Sequence, residues 1–414
     1  MDRKEALLKD LVTVLKIPSV KQPPLPGMPF GRSCFEALDA VLKMGKDMGF
    51  AVKNVDGYAG HIEWGEGPLF GILGHLDVVP AGQDWTSPAF AAEIREDCLY
   101  ARGTQDDKGP MLAVLHAMKR LKDEGFCPKR RLRLILGCDE ESGWGCINYY
   151  FQKEEMPEEG FSPDADFPLI NCEKGVLHLE VDLPFSDLPG RRLEALSGGE
   201  RVNMVPDFAS ARLDGEEVVC RGISAHGSTP EQGDNALQML LDELIARYPH
   251  PALKTARALS ALDGSGAGVA CADEVSGSLT LNLGKAELGD GKLRLWLDIR
   301  YPVTREKAAV LSGLEAASGG EVIVLNEHAP LYVPEETPLV QKLLRAYERV
   351  TGTPGKPFAV GGATFARALK RGVAFGPVFP GTHTSIHQRD ENIPLKELWA
   401  LFDIYTEALR EVLS

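Results

Sequence analysis

Apolar side chains recur every three or four residues near the start of the chain, which is the pattern of a helix with one buried face. This stripe predicts a helix over residues 4–16, and Pro18 would end it. The same spacing predicts six further helices, over 34–48, 110–124, 235–248, 306–317, 338–352 and 395–413.

Short runs of β-branched and other apolar residues lie between these helices and predict strands. The runs are 69–74, 132–137, 202–207, 217–223, 277–284, 292–301 and 373–376. Strands and helices alternate up to about residue 177 and again beyond 334, which is typical of an α/β layer with a largely parallel sheet. The strands between are shorter and alternate apolar with polar positions, which is typical of an antiparallel sheet.

We therefore predict an α/β fold in which one domain is interrupted by another. Residues 1–180 and 331–414 would form a discontinuous domain with a mainly parallel sheet flanked by helices. Residues 181–330 would form an inserted α+β domain with an antiparallel sheet. The length of 414 residues is typical of two domains rather than one.

Composition and charge narrow the class of protein. The 45 basic and 60 acidic side chains give a net charge of −15, which disfavours binding to nucleic acid or to anionic membranes. We find no apolar run long enough to span a bilayer and no apolar signal segment at the start, so we expect a soluble, cytoplasmic protein. The eight cysteines form no CxxC pair, which predicts buried thiols rather than disulfides or a thiolate zinc site.

Polar residues follow two of the predicted buried strands. His75 and Asp77 come after the first, and Glu140 and Glu141 after the second. The carboxyl ends of parallel strands face the ligand crevice, so these side chains are candidates for a site. Asp77 would orient His75 while His75 binds a metal, because side chains two residues apart in an extended chain point the same way. The alternative is a solvated strand end.

Three further segments add carboxylates and one histidine. Asp106 and Asp107 stand between glycines just before a helix, where aspartate ordinarily caps the helix but where a carboxylate could also bridge two cations. Asp164 and Asp166 lie between two prolines, and His387 precedes an acidic tract. The local sequence does not choose between these roles.

Together these residues are the nitrogen and oxygen donors that a pair of borderline hard cations requires. Glu140 beside Glu141 at the end of a buried strand would repel its neighbour strongly unless cations or a proton compensate. Two cations would polarise a carbonyl and make a bridging water acidic enough to attack it near neutral pH. A hydrolase is therefore the function predicted from the residues alone.

The order of these segments resembles the dinuclear-metal dipeptidases of the PepV and carnosinase type, which are relatives of aminoacylase and carboxypeptidase G. The resemblance covers nearly the whole chain. It rests on the segments GHLDVVPAG, RGTQDDKGP, DEES, FSPDADFP, GISAHGSTP, LDIRYP and IHQRDEN.

The resemblance implies two divalent metal ions, with zinc as the expected metal and manganese or cobalt as alternatives. It makes His75 and Asp164 ligands of one ion. It makes Glu141 and His387 ligands of the other, with Asp106 as the bridge.

The resemblance also implies roles beside the metal ligands. Asp77 would support His75, and Glu140 would act as the general base. Asp107 is the second candidate for the bridge and would more simply cap the following helix. His383 matches no ligand position and stays a candidate for a substrate contact or a structural role.

In the inserted domain the resemblance implies a lid over the catalytic domain. His226 would stabilise the oxyanion of the tetrahedral intermediate. Asn203 and Arg300 would contact the substrate, and a guanidinium suits a bidentate grip on a free α-carboxylate.

The predicted reaction is hydrolysis of the peptide bond of unblocked dipeptides, and Asp164 favours it because the deacylating relatives have glutamate there. The first alternative is an N-acyl-amino-acid deacylase or a carboxypeptidase. The second is a catalytically silent clamp for a peptide or an amino acid, which would not need Glu140. The expected partner is a small dipeptide, with no nucleic acid and no membrane, and the protein would be a monomer or a homodimer.

Overall fold

The computed structural model describes residues 2–382 and 384–414. Its helices are α1 Arg3–Leu15, α2 Arg32–Asp47, α3 Lys108–Asp123, α4 Gly145–Lys153, α5 Ala236–Arg247, α6 Pro251–Leu259, α7 Lys307–Ser318, α8 Pro338–Thr351 and α9 Leu395–Val412. Its strands are β1 Ala51–Val55, β2 Ala59–Trp64, β3 Leu69–His75, β4 Glu93–Arg95, β5 Cys98–Tyr100, β6 Arg131–Gly137, β7 Glu159–Ser162, β8 Ala165–Asp166, β9 Ile170–Glu173, β10 Gly175–Pro184, β11 Leu193–Gly198, β12 Phe208–Leu213, β13 Glu216–Arg221, β14 Ala272–Asp273, β15 Gly277–Ser278, β16 Thr280–Gly289, β17 Lys292–Tyr301, β18 Glu321–His328, β19 Leu331–Tyr332, β20 Phe358–Val360, β21 Gly372–Ala374, β22 Pro377–Val378 and β23 Asn392–Pro394.

These elements form two compact units. The first contains the described residues of Met1–Asn171, Val333–Phe358 and Thr364–Ser414, and the second contains Cys172–Tyr332 and Ala359–Ala363. Each unit has its own cluster of buried apolar side chains, as expected for a domain with its own core.

The sheet of the first unit is parallel in its middle. Its strands follow the order β1-β2-β6-β3-β7-β21-β9, and β6, β3, β7 and β21 are joined by parallel pairs. The pairs β1–β2 and β2–β6 at one edge are antiparallel. All seven residues of β3 are buried, as expected for a parallel strand covered on both faces. Apolar faces of α1, α2, α3, α8 and α9 contribute to the core around this sheet.

The second unit is built on an antiparallel sheet. Its seven strands follow the order β13-β12-β11-β16-β17-β10-β18. Leucines of β10, β16 and β17 form one core with apolar residues of α5, α6 and α7. The predicted fold class, a mainly parallel α/β layer with a separate antiparallel α+β layer, is confirmed.

Local patterns predicted the helices well and one strand wrongly. The seven helices predicted from periodicity are all present within about two residues of their predicted ends. The segment 202–207 is not a strand in the described structure. Pro206 lacks the N–H that a ladder needs, and the carbonyls of Val202 and Met204 accept hydrogen bonds from the side-chain amide of Asn282.

No helix in the described ranges 2–382 and 384–414 has the length and apolar character needed to cross a membrane.

Candidate active site

Three neighbouring parallel strands bring the candidate residues of the first unit to one edge of the sheet. His75 is the last residue of β3 and pairs with Gly137, the last residue of β6, so Glu140 and Glu141 follow at the same edge. Asp164 lies two residues past the end of β7, which pairs with the other side of β3. The carboxyl ends of parallel strands meet at one edge, which is why segments distant in sequence converge there.

Asp106 lies between the two histidines. Its Oδ1 is 2.9 Å from Nε2 of His75, and its Oδ2 is 2.8 Å from Nε2 of His387. The same nitrogen of His75 is 3.6 Å from Oδ2 of Asp164, and that of His387 is 3.1 Å from Oε1 of Glu141. The five residues predicted as metal ligands therefore form one cluster around Asp106.

Asp77 contacts the cluster through both its backbone and its side chain. Its carbonyl oxygen accepts a hydrogen bond from Nδ1 of His75 at 2.9 Å. Its carboxylate accepts the backbone N–H groups of Glu140 at 3.1 Å and Glu141 at 3.2 Å. Asp77 thus orients the imidazole with its main chain and holds the two glutamates in place with its side chain.

Asp107 occupies the N-cap position of the helix that follows it, but its side chain does not cap that helix, so the expectation of a capping side chain was wrong. Its side chain makes no capping hydrogen bond in the described structure, and its Oδ2 accepts the backbone N–H of His75 at 3.1 Å. Gly74 makes this approach feasible, because an added Cβ there would collide with Oδ2 of Asp107. A cis peptide bond joins Asp106 to Asp107.

Glu140 belongs to the same cluster and lies in the loop between β6 and α4. Its Oε1 accepts a hydrogen bond from the indole N–H of Trp144 at 3.0 Å. The Trp144 ring lies edge-on against Phe365, with ring centroids 5.1 Å apart. Burial raises the pKa of Glu140 well above its usual range, His75 opposes the shift, and the negative charge of Asp164 adds to it.

In this cluster the pKa of one carboxylate, Asp106, is lowered, whereas the pKa values of His387 and Asp164 are raised. Burial works against ionisation of Asp106, but the contacts of its carboxylate with the side chains of His387 and His75 hold its pKa below the usual range. Hydrogen bonds to Asp106 and Glu141 raise the pKa of His387 to about 10. Burial, followed by the charge of Asp106, raises the pKa of Asp164. The cluster is therefore an acidic site in which positive charge is stabilising.

The donor atoms fit divalent cations. In the part of the chain that the structure describes, two sets of side chains hold their donors within 4.8 Å of one another: His75, Glu140 and Asp164, and His75, Asp106 and Glu141. Nε2 of His75 and Oδ1 of Asp106 are buried and have no hydrogen-bond partner among the described residues, although they face each other. Nitrogen and carboxylate donors without thiolate suit zinc, manganese or cobalt.

The three candidate residues of the inserted domain belong to the second unit. Nδ1 of His226 accepts hydrogen bonds from the hydroxyl of Ser228 at 2.6 Å and from its backbone N–H at 3.2 Å, which places the ring proton on Nε2. The carbonyl of Asn203 accepts the N–H of Gly227 at 2.8 Å, so Asn203 and His226 lie on adjoining turns. Burial, followed by the charge of Arg300, lowers the pKa of His226.

Arg300 is 5% exposed and already contacts a carboxylate of its own strand. Its Nε and Nη2 donate to the two oxygens of Asp298 at 2.7 and 2.8 Å, and its Nη1 donates to the carbonyl of Gly361 at 2.9 Å. These contacts use three of the five N–H bonds of the guanidinium. The pattern LDIRYP contained this pair, because residues 298 and 300 of one strand point to the same face.

His383 lies outside the described residues. Two residues that contact the cluster, Trp144 and Glu391, were not predicted from the sequence. Trp144 follows the DEES segment by two positions, and Glu391 is the last acidic residue of the tract after His387. Glu391 is fully buried and accepts hydrogen bonds from the loop that carries Asp106. Glu391 lies in a run of charged residues, which is typical of an exposed loop, so the sequence gave no sign that it is buried. Trp144 could have been predicted, because a tryptophan is unusual so close to a group of acidic candidate residues.

An α/β domain that gathers histidines and carboxylates at the ends of parallel strands, in a chain with a second antiparallel domain, defines a two-domain hydrolase. Residues 71–411 match the model of peptidase family M20/M25/M40, and the chain belongs to this family. The predictions of a hydrolase and a peptidase, and the stated resemblance, are thereby confirmed.

Similar proteins agree with this assignment. The chain is 39% identical to "Putative dipeptidase YtjP" of Bacillus subtilis (strain 168), over 99% of this chain and 98% of that protein. Its fold resembles the crystal structures of aminoacylhistidine dipeptidase from Vibrio alginolyticus (TM-score 0.67, 14% identity, 98% and 96% of the two chains) and human carnosine dipeptidase 1 (TM-score 0.62, 15% identity, 99% and 96%).

Proposed function

We propose that this protein is a metal-dependent dipeptidase that hydrolyses the peptide bond of unblocked dipeptides. The observation that carries the proposal is the position of Asp106, whose two carboxylate oxygens face Nε2 of His75 and Nε2 of His387 at 2.9 and 2.8 Å. A carboxylate with one histidine on each side is suited to bridge two cations.

The contacts around Asp106 support the division of ligands between two ions that the resemblance implies. His75 and Asp164 would hold one ion, Glu141 and His387 the other, and Asp106 would contact both. When bound, two divalent ions would polarise the scissile carbonyl and lower the pKa of a bound water. Zinc is the metal we expect, with manganese and cobalt as alternatives that the donor set also accepts.

Glu140 is proposed as the general base. Its carboxylate lies beside His75 and Asp164, where it can take a proton from the attacking water and pass it to the leaving amine. The burial that raises its pKa also suits a group that must hold a proton between these two steps. The N–H of Trp144 limits the orientations that this carboxylate can adopt.

Residues 181–330 are proposed as a lid domain that supplies the substrate contacts, with residues 1–180 and 331–414 as the catalytic domain. A neutral His226 with its proton on Nε2 can donate a hydrogen bond to the developing oxyanion. Arg300, held flat against Asp298, would offer its remaining N–H bonds to the free α-carboxylate of the substrate, and Asn203 would contact the substrate from the adjoining turn.

The dipeptide specificity is supported by two observations. A relative 39% identical over nearly the whole chain is named as a dipeptidase. Asp164 occupies the position where the resemblance associates glutamate with deacylases. A carboxylate one residue beyond the scissile bond would partner Arg300, and a longer peptide would place an uncharged amide there.

The proposal is tested by comparing four substrates in one assay with added metal: a dipeptide, its C-terminal amide, its N-acetyl form and a tripeptide. We expect kcat/KM for the dipeptide to exceed that for the amide and the tripeptide by about a hundredfold. Faster turnover of N-acetyl amino acids would establish the deacylase instead, and release of C-terminal residues from longer peptides would establish the carboxypeptidase. Binding of dipeptide without turnover would establish the silent clamp.

The cytoplasmic location and the choice between monomer and homodimer stay predictions from the sequence.

A further inference from the structure

Glu391 is a fully buried carboxylate four residues beyond His387. Its Oε1 accepts the backbone N–H groups of Gly103 at 3.1 Å, Gln105 at 3.0 Å and Asp106 at 3.4 Å. Three amides of one short segment therefore converge on a single oxygen. Such a nest of backbone N–H groups is a fixed arrangement that stabilises a negative charge.

The second oxygen of Glu391 has a cation as its partner. Oε2 accepts a hydrogen bond from Nη1 of Arg102 at 2.7 Å, and both side chains are at most 2% exposed. The guanidinium of Arg102 lies over the ring of Trp85, 5.3 Å from its centroid. Burial of a carboxylate costs free energy unless it has such partners. These contacts therefore indicate that the carboxylate of Glu391 has a structural role inside the domain.

The contacts join the two segments that supply proposed metal ligands. Asp106 ends the segment whose amides surround Oε1, and His387 lies in the turn that directly precedes Glu391. A backbone hydrogen bond joins the same two segments, because the N–H of Ala101 donates to the carbonyl of Glu391 at 3.0 Å. The position of Asp106 relative to His387 thus depends on one buried carboxylate.

We propose that Glu391 is a positioning residue that fixes the backbone of Asp106 and aligns its carboxylate between the two histidines. Glu391 would not contact a metal or the substrate. It acts through the segment Gly103–Asp106, in the way that residues behind a metal ligand commonly tune affinity. The inference rests on the proposed function, because it assumes that Asp106 bridges two ions.

Glu391→Gln tests the proposal, since glutamine keeps the size of the side chain but brings an NH₂ group against either Arg102 or the converging amides. Asp390→Asn is the matched control. Asp390 is the preceding residue, it is partly exposed, and its carboxylate accepts hydrogen bonds from the backbone N–H and the hydroxyl of Thr86. Both variants are made in the full-length chain, stripped of metal and titrated with Mn²⁺ or Zn²⁺ by calorimetry, with the thermal midpoint of the metal-free chain recorded alongside.

We expect Glu391→Gln to bind metal about ten- to a hundredfold more weakly than the parent chain, and Asp390→Asn to stay within about twofold of it. kcat should fall at saturating metal while KM for the dipeptide changes little, because Glu391 does not contact substrate. Metal affinity equal to that of the parent chain would overturn the proposal, and so would an equal loss in Asp390→Asn.

If Glu391→Gln does not fold, Arg102→Lys decides the question. Lysine retains the charge beside Oε2 but not the flat contact with Trp85, so we expect a smaller loss of metal affinity, about three- to tenfold. Unchanged affinity in Arg102→Lys would then overturn the proposal. A parent chain that binds no metal or hydrolyses no dipeptide would instead contradict the proposed function, whatever the variants do.

Discussion

The backbone carbonyl of Asp77 accepts the Nδ1 proton of His75 at 2.9 Å, and the carboxylate of Asp77, whose Oδ1 is 3.5 Å from the same nitrogen, accepts the amides that follow β6. The hydrogen bond to Nδ1 leaves the lone pair of Nε2 directed at Asp106. The orientation of the imidazole thus depends on the main chain at residue 77, and the placement of Glu140 and Glu141 depends on the side chain.

Because the main chain and the side chain of Asp77 have different partners, Asp77→Asn should affect kcat more than metal content. The asparagine retains the carbonyl that orients His75 but has one acceptor oxygen where two amides now bind. We expect kcat to fall by about tenfold or more with metal content close to that of the parent chain, measured by turnover and elemental analysis of the same sample. Loss of metal without a further change in kcat of the loaded enzyme would show that the side chain serves His75 instead.

Removal of metal is expected to abolish activity, and the loss should be reversed by adding zinc or manganese. His387→Ala should lower both metal content and activity, because its Nε2 faces Asp106 and Glu141 at 2.8 and 3.1 Å. His116→Gln is a suitable control, since that ring contacts Asp10. Full activity of His387→Ala would remove this residue from the site.

Glu140→Gln separates chemistry from metal binding. Glutamine keeps the shape of the side chain but cannot take a proton from water, so turnover should fall by about a hundredfold or more while metal content stays near that of the parent chain. Glu155→Gln, which changes an exposed glutamate paired with Arg131, is the control. If metal is lost instead, the roles assigned to Glu140 and Glu141 must be exchanged.

Trp144→Phe removes one hydrogen bond from the proposed base while leaving an aromatic ring to pack against Phe365. A less restrained Glu140 spends less time in the reactive orientation, so we expect kcat to fall by about three- to tenfold with an unchanged metal content. Steady-state kinetics and metal analysis check this expectation. An unchanged kcat would mean that other contacts suffice to orient the carboxylate.

The stability of the first unit should depend on His61 in mild acid. Burial, followed by the charge of Arg133, lowers the pKa of His61 to about 4, and its Nδ1 accepts a hydrogen bond from the hydroxyl of Tyr150. The unfolded chain takes up this proton below about pH 6.5. Stability should therefore fall as pH decreases from about 6.5 to 4, by about 3 kcal/mol from this residue.

His61→Gln keeps an acceptor for Tyr150 but does not titrate. Its urea midpoint should fall less steeply than that of the parent chain between pH 6.5 and 4, and the two curves should run parallel above pH 7. Equal slopes in the acidic window would show that His61 is protonated in the folded protein at these pH values.

Patterns that repeat within a few residues were sufficient to predict most of the architecture. The period of 3.6 residues marked the helices, and apolar runs followed by polar residues marked β3 and β6 together with His75 and Glu140 at their ends. These features depend on local geometry and on which face is buried, and both are written in neighbouring residues. That His75 and Glu140 would lie close together was predictable because parallel strands end at one edge, whereas the ligand roles of Asp106, Asp164 and His387 came from the resemblance.

Contacts between distant segments could not be predicted in this way. The carbonyls of the segment 202–207 meet Asn282, about 80 positions later, and the N–H of His75 donates to the side chain of Asp107 rather than to a carbonyl of a neighbouring strand. Glu391 lies 285 residues from Asp106, in a run whose charges suggest a solvated surface. A carboxylate can be buried only where the folded chain brings amides and a guanidinium around it, and that arrangement exists only after the distant segments have packed.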